Sequence, residues 1–479
     1  MGFETYAEYD GLGLAELVRR GEVAPEELVD AAVSTIERHN PTLNAVVAIM
    51  RDHALDEIKQ GLSPGPFKGV PFLVKEFGMH FKGMTTAAGT RLAQGVTFDA
   101  DTELMARCKR AGLVTVGTTT TPEMAFNAST EAVVYGPTRN PWNTDHSPGG
   151  SSGGAGAAVA AGMVPLAHAN DGGGSIRIPA ACNGLVGLKP SRGRTPTGPD
   201  SGIFLWGLAI EFVVTRTVRD AAALLDAVAG PDEGFYYTAM PPKGSFFGAT
   251  TRPSPRLKIG VLEQIPGCAA PEPEIKDRLG DTVRLLEELG HTCAPVSLEY
   301  DVDGFNASTI RLWGATIAHY IDLFAAGTGR EIGPDTLEAV TLETYKFAKA
   351  LSAVEMEWAM GVQNKICRSV AQSIKAYDVV LTPGLGQDVA KLGVLDQNAS
   401  GVGVMDWWKQ LMYAYTPYTP LFNTTGQPAI MLPLWQSKAG LPLGMQFVGR
   451  PSDEETLIGL ATELEHAHPW AGRRPPLYA

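Results

Sequence analysis

Two serine residues lie in separate glycine clusters, an arrangement that can supply a nucleophile together with the groups that stabilise the charge it generates. Ser151 lies in residues 149–154 (GGSSGG), and Ser175 lies in residues 171–177 (DGGGSIR). Glycine permits positive φ and a close approach of the backbone to a ligand. Successive backbone N–H groups that lead to a serine can hold a developing oxyanion. The two clusters therefore indicate acyl transfer with a hydroxyl nucleophile.

Two other interpretations of the glycine clusters fit the surrounding sequence less well. Glycine- and serine-rich stretches are commonly flexible linkers, but residues 157–161 (AAVAA) favour a buried helix and residues 184–188 (GLVGL) are typical of a core. Residues 149–153 also fit the G-x-S-x-G nucleophile elbow. That elbow follows a buried strand, whereas residues 143–148 (NTDHSP) are typical of a loop.

A serine nucleophile needs a base, and Lys75 is the candidate. None of the nine histidines lies in a segment that can be linked to Ser175. Lys75 follows the apolar residues 70–74, which we predict to form a buried strand that ends at this lysine. Burial must lower the lysine pKa by about 2–3 units before the neutral amine is present near neutral pH. The alternative is a surface lysine that begins a loop with Glu76.

Taken together, these segments resemble the amidase signature family, whose members are serine hydrolases with a Ser–cis-Ser–Lys triad. Four elements in this order and spacing are far more specific than any one alone. The resemblance continues near the C-terminus and so covers nearly the whole chain. The matching residues are 69–75 (GVPFLVK), 149–154, 171–179 (DGGGSIRIP), 187–190 (GLKP), 426–429 (GQPA) and 440–444 (GLPLG).

The resemblance implies a role for each member of the triad. Ser175 is the nucleophile, Lys75 is the base, and Ser151 passes the proton between them. In the family the serine that corresponds to Ser151 follows a cis peptide, which here would join it to Gly150. Ser175 would attack an amide carbonyl, and its proton would return through Ser151 to the leaving amine before water releases the acid.

Supporting roles follow for the residues beside the two serines. Asp171 and Arg177 are expected to hold the loop, by pairing with each other or by capping backbone groups. Ser152 is open to two interpretations, a member of the hydrogen-bond network or a turn residue. The oxyanion hole is expected to use the backbone N–H groups of Gly172, Gly173, Gly174 and Ser175.

No cofactor is expected for this chemistry, and the sequence indicates no metal site. The patterns C-x-x-C and H-E-x-x-H are absent, and the histidines show no ligand spacing except His466-x-His468. The expected partner is a small-molecule amide or carbamate substrate. Nucleic acid and membranes are not expected as partners, and the chain is expected to be a monomer or a homodimer.

The elements that must position these residues alternate between helix and strand. Helices are predicted at residues 25–39, ending at Asn40-Pro41, and at residues 101–111, and strands at residues 69–74 and 113–116. This rhythm predicts an α/β fold with a parallel or mixed sheet. A further strand is predicted at residues 44–50, in a buried position.

The resemblance implies one α/β/α catalytic domain over residues 1–479, built around a large twisted mixed β-sheet covered by helices. Residues 65–230 would form the signature core. Residues 230–256 are rich in glycine, proline, serine and threonine and would cross the surface. Residues 257–479 would complete the fold and contribute variable helices to the substrate pocket.

Composition excludes several other classes of protein. The chain has 479 residues, of which 44% are hydrophobic and 19% charged, as in a folded globular protein. A net charge of −13 opposes binding to nucleic acid or to anionic membranes. Five scattered cysteines argue against a disulfide framework, and residues 1–6 have no features of a signal peptide. A cytoplasmic enzyme is therefore expected.

Aromatic residues in the stretches expected to vary within the family suggest a pocket for a bulky, hydrophobic amide, carbamate or anilide. Any one of them could instead belong to the core. The candidates for the pocket are Phe204, Trp206, Trp313 and Trp407.

Within the family, two branches are candidates. Residues 168–171 (HAND) and 470–475 (WAGRRP) look most like the branch of 6-aminohexanoate-cyclic-dimer hydrolases. The alternative is the amidase subunit of a glutamyl-tRNA(Gln) amidotransferase. Residues 208–212 (LAIEF) lack the Ser-Leu-Asp-Gln pattern expected of that subunit, and Ile178 stands where it usually has glutamine.

Overall fold

Eleven strands form one mixed sheet in the computed structural model, which describes Phe3 and residues 5–479. The strands are β1 Val46–Ile49, β2 Pro71–Lys75, β3 Thr85–Thr86, β4 Val96–Thr97, β5 Val114–Thr119, β6 Leu166–Asp171, β7 Val186–Lys189, β8 Ile210–Thr215, β9 Lys258–Val261, β10 Thr292–Pro295, β11 Val379–Pro383, β12 Ala429–Gln436 and β13 Pro442–Val448. The sheet order is β1-β5-β2-β6-β8-β7-β12-β13-β11-β9-β10, and β3 pairs with β4 separately.

Helices accompany the strands along the whole chain. They are α1 Gly11–Arg20, α2 Pro25–Leu43, α3 Arg51–Gln60, α4 Glu103–Arg110, α5 Gly153–Ala160, α6 Arg177–Asn183, α7 Val218–Val228, α8 Phe246–Ala249, α9 Pro273–Glu288, α10 Val302–Thr328, α11 Ala339–Lys349, α12 Ala353–Ile374, α13 Val404–Gln410, α14 Leu421–Thr424 and α15 Glu454–Ala467. Parallel pairs (β2–β5, β2–β6) and antiparallel pairs (β6–β8, β12–β13) coexist, which confirms the predicted mixed α/β sheet.

The centre of the sheet carries the residues singled out in the sequence. β2, β6 and β8 are adjacent, and every residue in them is buried. Lys75 ends β2 and Asp171 ends β6. α5 begins at Gly153, within the first glycine cluster, and is buried along its whole length. A Cβ added to Gly153 would lie 2.3 Å from Thr130 Oγ1, so the start of this helix requires glycine.

Two local expectations were wrong. α2 does not end at Asn40-Pro41 but continues to Leu43. Pro41 lies within its last turn, and the helix ends where Asn44 adopts the left-handed conformation at φ 49°. The strand predicted at residues 44–50 is present as β1, but it forms an edge of the sheet, and Ile49 is exposed.

Residues 230–256 are mostly exposed or half-buried, with the short helix α8 as their anchor. Within the described part of the chain, no helix is both long enough and apolar enough to cross a membrane. Met1, Gly2 and Glu4, on which part of the expectation about the N-terminus depends, lie outside the described residues.

Candidate active site

Lys75 is fully buried and makes three hydrogen bonds through its amine. Its Nζ lies within hydrogen-bond distance of Ser151 Oγ at 2.7 Å, of Ser152 Oγ at 3.0 Å and of Asn170 Oδ1 at 2.6 Å. The buried strand β2 carries the side chain into the interior, as the apolar run predicted. Ser152 is therefore a member of the hydrogen-bond network. The structure brings together Lys75 and both serines of the first cluster.

Burial lowers the pKa of Lys75 from 10.5 to about 7, and the negative charges of Glu211 and Asp171 offset part of this effect. The cause is desolvation, which disfavours the ammonium form in the interior. All three hydrogen-bond partners of the amine are neutral groups. A substantial fraction of Lys75 is therefore the free amine near neutral pH.

Ser151 follows a cis peptide bond from Gly150, as the family resemblance implies. Gly150 packs tightly, because an added Cβ would lie 2.6 Å from Asn127 O and 2.7 Å from Ala128 C. Ser151 and Ser175 line the same cavity, and both side chains are buried. The fold thus brings the two serine residues to one cavity.

In the glycine loop 172–174, one backbone N–H group is engaged by a carboxylate of the protein. Gly174 has a φ of 133°, and its N–H donates to Asp171 Oδ1 at 2.7 Å. This amide is already engaged within the protein, so the expectation that it serves an oxyanion is corrected. Gly172 and Gly173 line cavities beside Ser175.

Asp171 and Arg177 form a fully buried ion pair, one of the two arrangements expected from the sequence. Arg177 Nε donates to Asp171 Oδ2 and Nη2 donates to Oδ1, both at 2.8 Å. Burial alone would raise the pKa of Asp171, but the charge and hydrogen bonds of Arg177 lower it to about 2. The remaining acceptors of Arg177 are Thr419 O, Gln446 Oε1 and Asn423 Oδ1.

Two apolar cavities meet at Ser175. We call them cavity A and cavity B, and Ala125, Ser175 and Trp313 line both. The other residues of cavity A are Phe77, Met124, Ser151, Asn170, Gly172, Phe204, Leu205, Ala209, Thr316, Ile317 and Tyr320. The other residues of cavity B are Phe126, Asn127, Ala128, Gly173, Ile178, Trp408, Leu411 and Met412.

Of the four aromatic residues predicted to line the pocket, two line the cavities and two do not. Phe204 and Trp313 line the cavities. Trp206 is 41% exposed and lines neither cavity, because Leu205 and Trp206 both adopt left-handed backbone conformations that turn the indole outward. Trp407 is buried in the core, where its Nε1 donates to Phe126 O. The expectation that Trp206 and Trp407 line the pocket is corrected.

Asn170 and Glu211 were not recognised as neighbours of Lys75 from the sequence. They are register partners in the antiparallel β6–β8 pair. Alternation along β6 puts Asn170 on the same face as His168, but the partner on β8 could be identified only once the register was known. Among the described residues, no group of three or more His, Cys, Asp or Glu side chains is arranged to hold a metal ion.

Comparison with known proteins gives consistent relatives over the whole chain. Residues 27–458 match the family model described as Amidase. The 6-aminohexanoate-cyclic-dimer hydrolase of Pseudomonas sp. (strain NK87) is 35% identical over 479 residues, covering 98% of this chain and 96% of that protein. The hydrolase of the same name from Paenarthrobacter ureafaciens is 34% identical over 478 residues, with coverage of 98% and 96%.

Solved structures agree with these relatives. The structure of 6-aminohexanoate cyclic dimer hydrolase complexed with substrate has a TM-score of 0.93 and 33% identity, and the match covers 99% of this chain and 100% of that one. A glutamyl-tRNA(Gln) amidotransferase subunit from Thermotoga maritima has a TM-score of 0.78 and 26% identity, with both chains fully covered. The fold is thus that of amidase signature enzymes.

Proposed function

The chain belongs to the amidase signature family and is an amidase that acts on C–N bonds, and we propose that it hydrolyses bulky, uncharged, hydrophobic amides through an acyl-enzyme on Ser175. The observation that carries this proposal is the buried amine of Lys75, which lies 2.7 Å from the Oγ of Ser151, a residue that lines the same cavity as Ser175. A base, a relay hydroxyl and a nucleophile are thus available at one place.

The proposed reaction begins with proton transfer. The O–H bond of Ser175 breaks as its oxygen attacks the amide carbonyl, Ser151 accepts that proton, and the proton of Ser151 passes to the neutral amine of Lys75. The tetrahedral intermediate then expels the amine, which receives a proton from Lys75 through Ser151. Water repeats the sequence on the ester carbonyl and releases the acid, so the enzyme is regenerated without a cofactor.

Backbone N–H groups of Gly172, Gly173 and Ser175 are the proposed donors to the oxyanion. Gly172 and Gly173 lie where cavities A and B meet Ser175. We leave Gly174 out, because its N–H donates to Asp171. The Asp171–Arg177 pair supports the site by fixing the loop that contains Ser175. Donors fixed in advance in a dry site stabilise the transition state at no cost of reorganisation.

The lining of the cavities supports a hydrophobic substrate. None of the described residues that line them is an acid or a basic residue, and most are aromatic or aliphatic. Because Ser175 lies where both cavities meet, an apolar group can be accommodated on either side of the scissile bond. Aryl amides, anilides, aryl carbamates and other urethanes, and cyclic amide oligomers fit this description.

Glutamine, the substrate of the alternative function, fits this site less well. Its zwitterionic end would need charged partners, and neither cavity provides one. No feature of the described residues favours the role of amidotransferase subunit, and we retain it as an outcome of the experiment below.

The setting proposed for the enzyme is the cytoplasm, with a small molecule as its partner. All five cysteines are free thiols, as is usual in a reducing compartment. The net charge of −13 opposes contact with nucleic acid and anionic membranes. A monomer or a homodimer is proposed.

Release of amine by the purified chain tests the proposed function. The panel comprises an aryl amide, an anilide, an aryl carbamate, the cyclic 6-aminohexanoate dimer and glutamine. We expect turnover of hydrophobic members, and loss of about three orders of magnitude or more in Ser175→Ala and Lys75→Ala. Full activity in either variant would refute the proposed triad. Turnover of glutamine alone, or of nothing, would favour a subunit that requires partners.

A further inference from the structure

A second cluster of buried polar side chains lies beside Lys75 on three adjacent strands. β2 contributes Lys75, β6 contributes His168 and Asn170, and β8 contributes Glu211. Asn170 and Glu211 are directly opposed in the β6–β8 register. Side chains of such partners lie on one face with Cβ atoms about 4.5–5.5 Å apart. The register thus places a carboxyl group next to the amide that accepts from the Lys75 amine.

Contacts hold Glu211 in this position. Its Oε1 accepts from the backbone N–H of Met79 at 3.0 Å and lies 3.7 Å from His168 Nε2. A Cβ added to Gly78 would lie 1.9 Å from Glu211 Oε1 and 2.7 Å from Asn170 Nδ2. Glycine at position 78 therefore makes room for both side chains under the loop that follows β2.

Among the groups around Glu211, Lys75 is the one whose positive charge acts on the carboxyl group. Both ring nitrogens of His168 are buried without a hydrogen-bond partner, and burial lowers its pKa well below the usual value, so the ring is neutral. Burial raises the pKa of Cys108 on α4 and of Tyr320 on α10 to about 12, so both are neutral. Asp200 is half exposed and pairs with His80.

Asp171 is the other carboxylate that faces Lys75, and Arg177 already neutralises it. Of the anions near the amine, Glu211 is therefore the one without an arginine partner in the described structure. Its side chain lines neither cavity A nor cavity B, so it does not touch a substrate bound there.

We propose that Glu211 is a positioning residue that provides the buried countercharge for the Lys75 ammonium formed during catalysis. This inference rests on the proposed role of Lys75 as the base. When the proton of Ser175 reaches Lys75 through Ser151, an ammonium forms in the interior, and the nearby Glu211 carboxylate stabilises it. Glu211 exchanges no proton with the substrate, and the ammonium returns its proton to the leaving nitrogen.

The titration of the pair is suited to this role. Burial raises the pKa of Glu211 to about 7, and burial lowers that of Lys75 to about 7. As the pH rises through about 7, the carboxyl group becomes anionic and the amine becomes neutral. A base that is ready to accept a proton then already has its countercharge in place.

Glu211→Gln is the test, because glutamine keeps an acceptor for Met79 and removes only the charge. The midpoint of the acidic limb of kcat/KM should fall by about one pH unit, since an anion that favours the ammonium is lost. The plateau kcat should fall about tenfold, while KM stays near that of the parent, because the side chain lies outside the cavities. Hydrolysis of an anilide from about pH 5 to 10 provides both values.

Glu76→Gln is the matched control. Glu76 is also a buried carboxyl group, next to Lys75 in the chain, and burial raises its pKa to about 7. Its Oε2 accepts from Tyr135 Oη at 2.7 Å, and the charges that act on the Lys75 amine are those of Glu211 and Asp171. We expect this variant to leave the midpoint unchanged. Glu211→Asp retains the charge one methylene further away and should give a smaller downward shift than Glu211→Gln.

An unmoved midpoint in Glu211→Gln would overturn the proposal, even with a lower kcat, because a purely structural role predicts that result. A shift of equal size in Glu76→Gln would overturn it as well. If Glu211→Gln does not fold, Glu211→Asp is used in its place. An unchanged midpoint of the acidic limb in Glu211→Asp would then overturn the proposal. Failure of the proposed function is distinct: the parent enzyme would then hydrolyse no amide, or Lys75→Ala would remain active.

Discussion

Arg177 binds both carboxylate oxygens of Asp171 through two parallel hydrogen bonds of 2.8 Å, and both side chains are completely buried. Asp171 ends β6 and Arg177 begins α6, so the pair closes the short loop that contains Ser175. The same carboxylate accepts the N–H of Gly174. The geometry of the glycine loop therefore depends on this ion pair.

Arg177→Ala should destabilise the protein by about 3–5 kcal/mol, because it leaves the Asp171 carboxylate buried without its partner. Urea unfolding at pH 7 measures the change in the free energy of unfolding. Arg19→Ala is the control. Arg19 pairs with Glu16 on the surface of α1, so this variant should unfold at the same urea concentration as the parent protein. If Arg177→Ala also unfolded at the same urea concentration as the parent protein, a structural role for Arg177 would be contradicted.

Activity should rise with pH and reach half of its plateau near pH 7. Only the neutral amine of Lys75 can accept the proton, and burial lowers its pKa to about 7, so kcat/KM should fall about tenfold per unit below that pH. Lys75→Arg should be inactive at every pH, because a guanidinium stays protonated. A flat profile from about pH 6 to 10 would count against a lysine base.

The triad could be predicted from the sequence because each of its residues belongs to a short contiguous pattern. The apolar run before Lys75 predicts a buried strand, and the strand delivers the lysine to the interior. The contact between Asn170 and Lys75, and the proximity of Glu211, depend on the order and register of β2, β6 and β8. Strand register is a property of the whole sheet, so residue spacing along the chain does not reveal it.

The apolar character of the cavities at Ser175 was predictable, but the individual residues that line them were not. Phe204 lines cavity A, while Trp206, two positions later, faces outward because the backbone between them is left-handed. Leu205 contributes to the wall instead, although its aliphatic side chain gave no signal in the sequence. Aromatic content thus predicts an apolar pocket, whereas local backbone conformation decides which side chains reach it.

Gly172→Ala should impair catalysis most strongly with bulky substrates. An added Cβ would lie 2.7 Å from Leu205 Cδ2 and 2.9 Å from Trp313 Cζ2, so the wall of cavity A must move beside the proposed oxyanion donors. We expect a loss of about two orders of magnitude in kcat/KM for an anilide. Gly361→Ala in α12 is the control, because an added Cβ meets nothing within 4 Å there. Parent-like activity in Gly172→Ala would contradict the proposed geometry.

Lys75→Met should be inactive yet more stable than the parent at pH 7. The native pKa of Lys75 is about 7, below its usual value of 10.5, so between these values the unfolded chain holds a proton that the native state lacks. Stability of the parent therefore rises with pH across this window, and at pH 7 the lysine costs about 4 kcal/mol. Methionine removes that cost but leaves Asn170 Oδ1 without its donor, at about 1–3 kcal/mol.

The net gain for Lys75→Met at pH 7 is therefore about 2 kcal/mol in the free energy of unfolding. Above about pH 10.5 the cost of burying the lysine vanishes while the lost hydrogen bonds remain, so the variant should become the less stable of the two. Urea midpoints measured at pH 7, 9 and 10.5 test this reversal. A constant difference across that range would show that Lys75 is protonated in the native state throughout, which is incompatible with its service as a base.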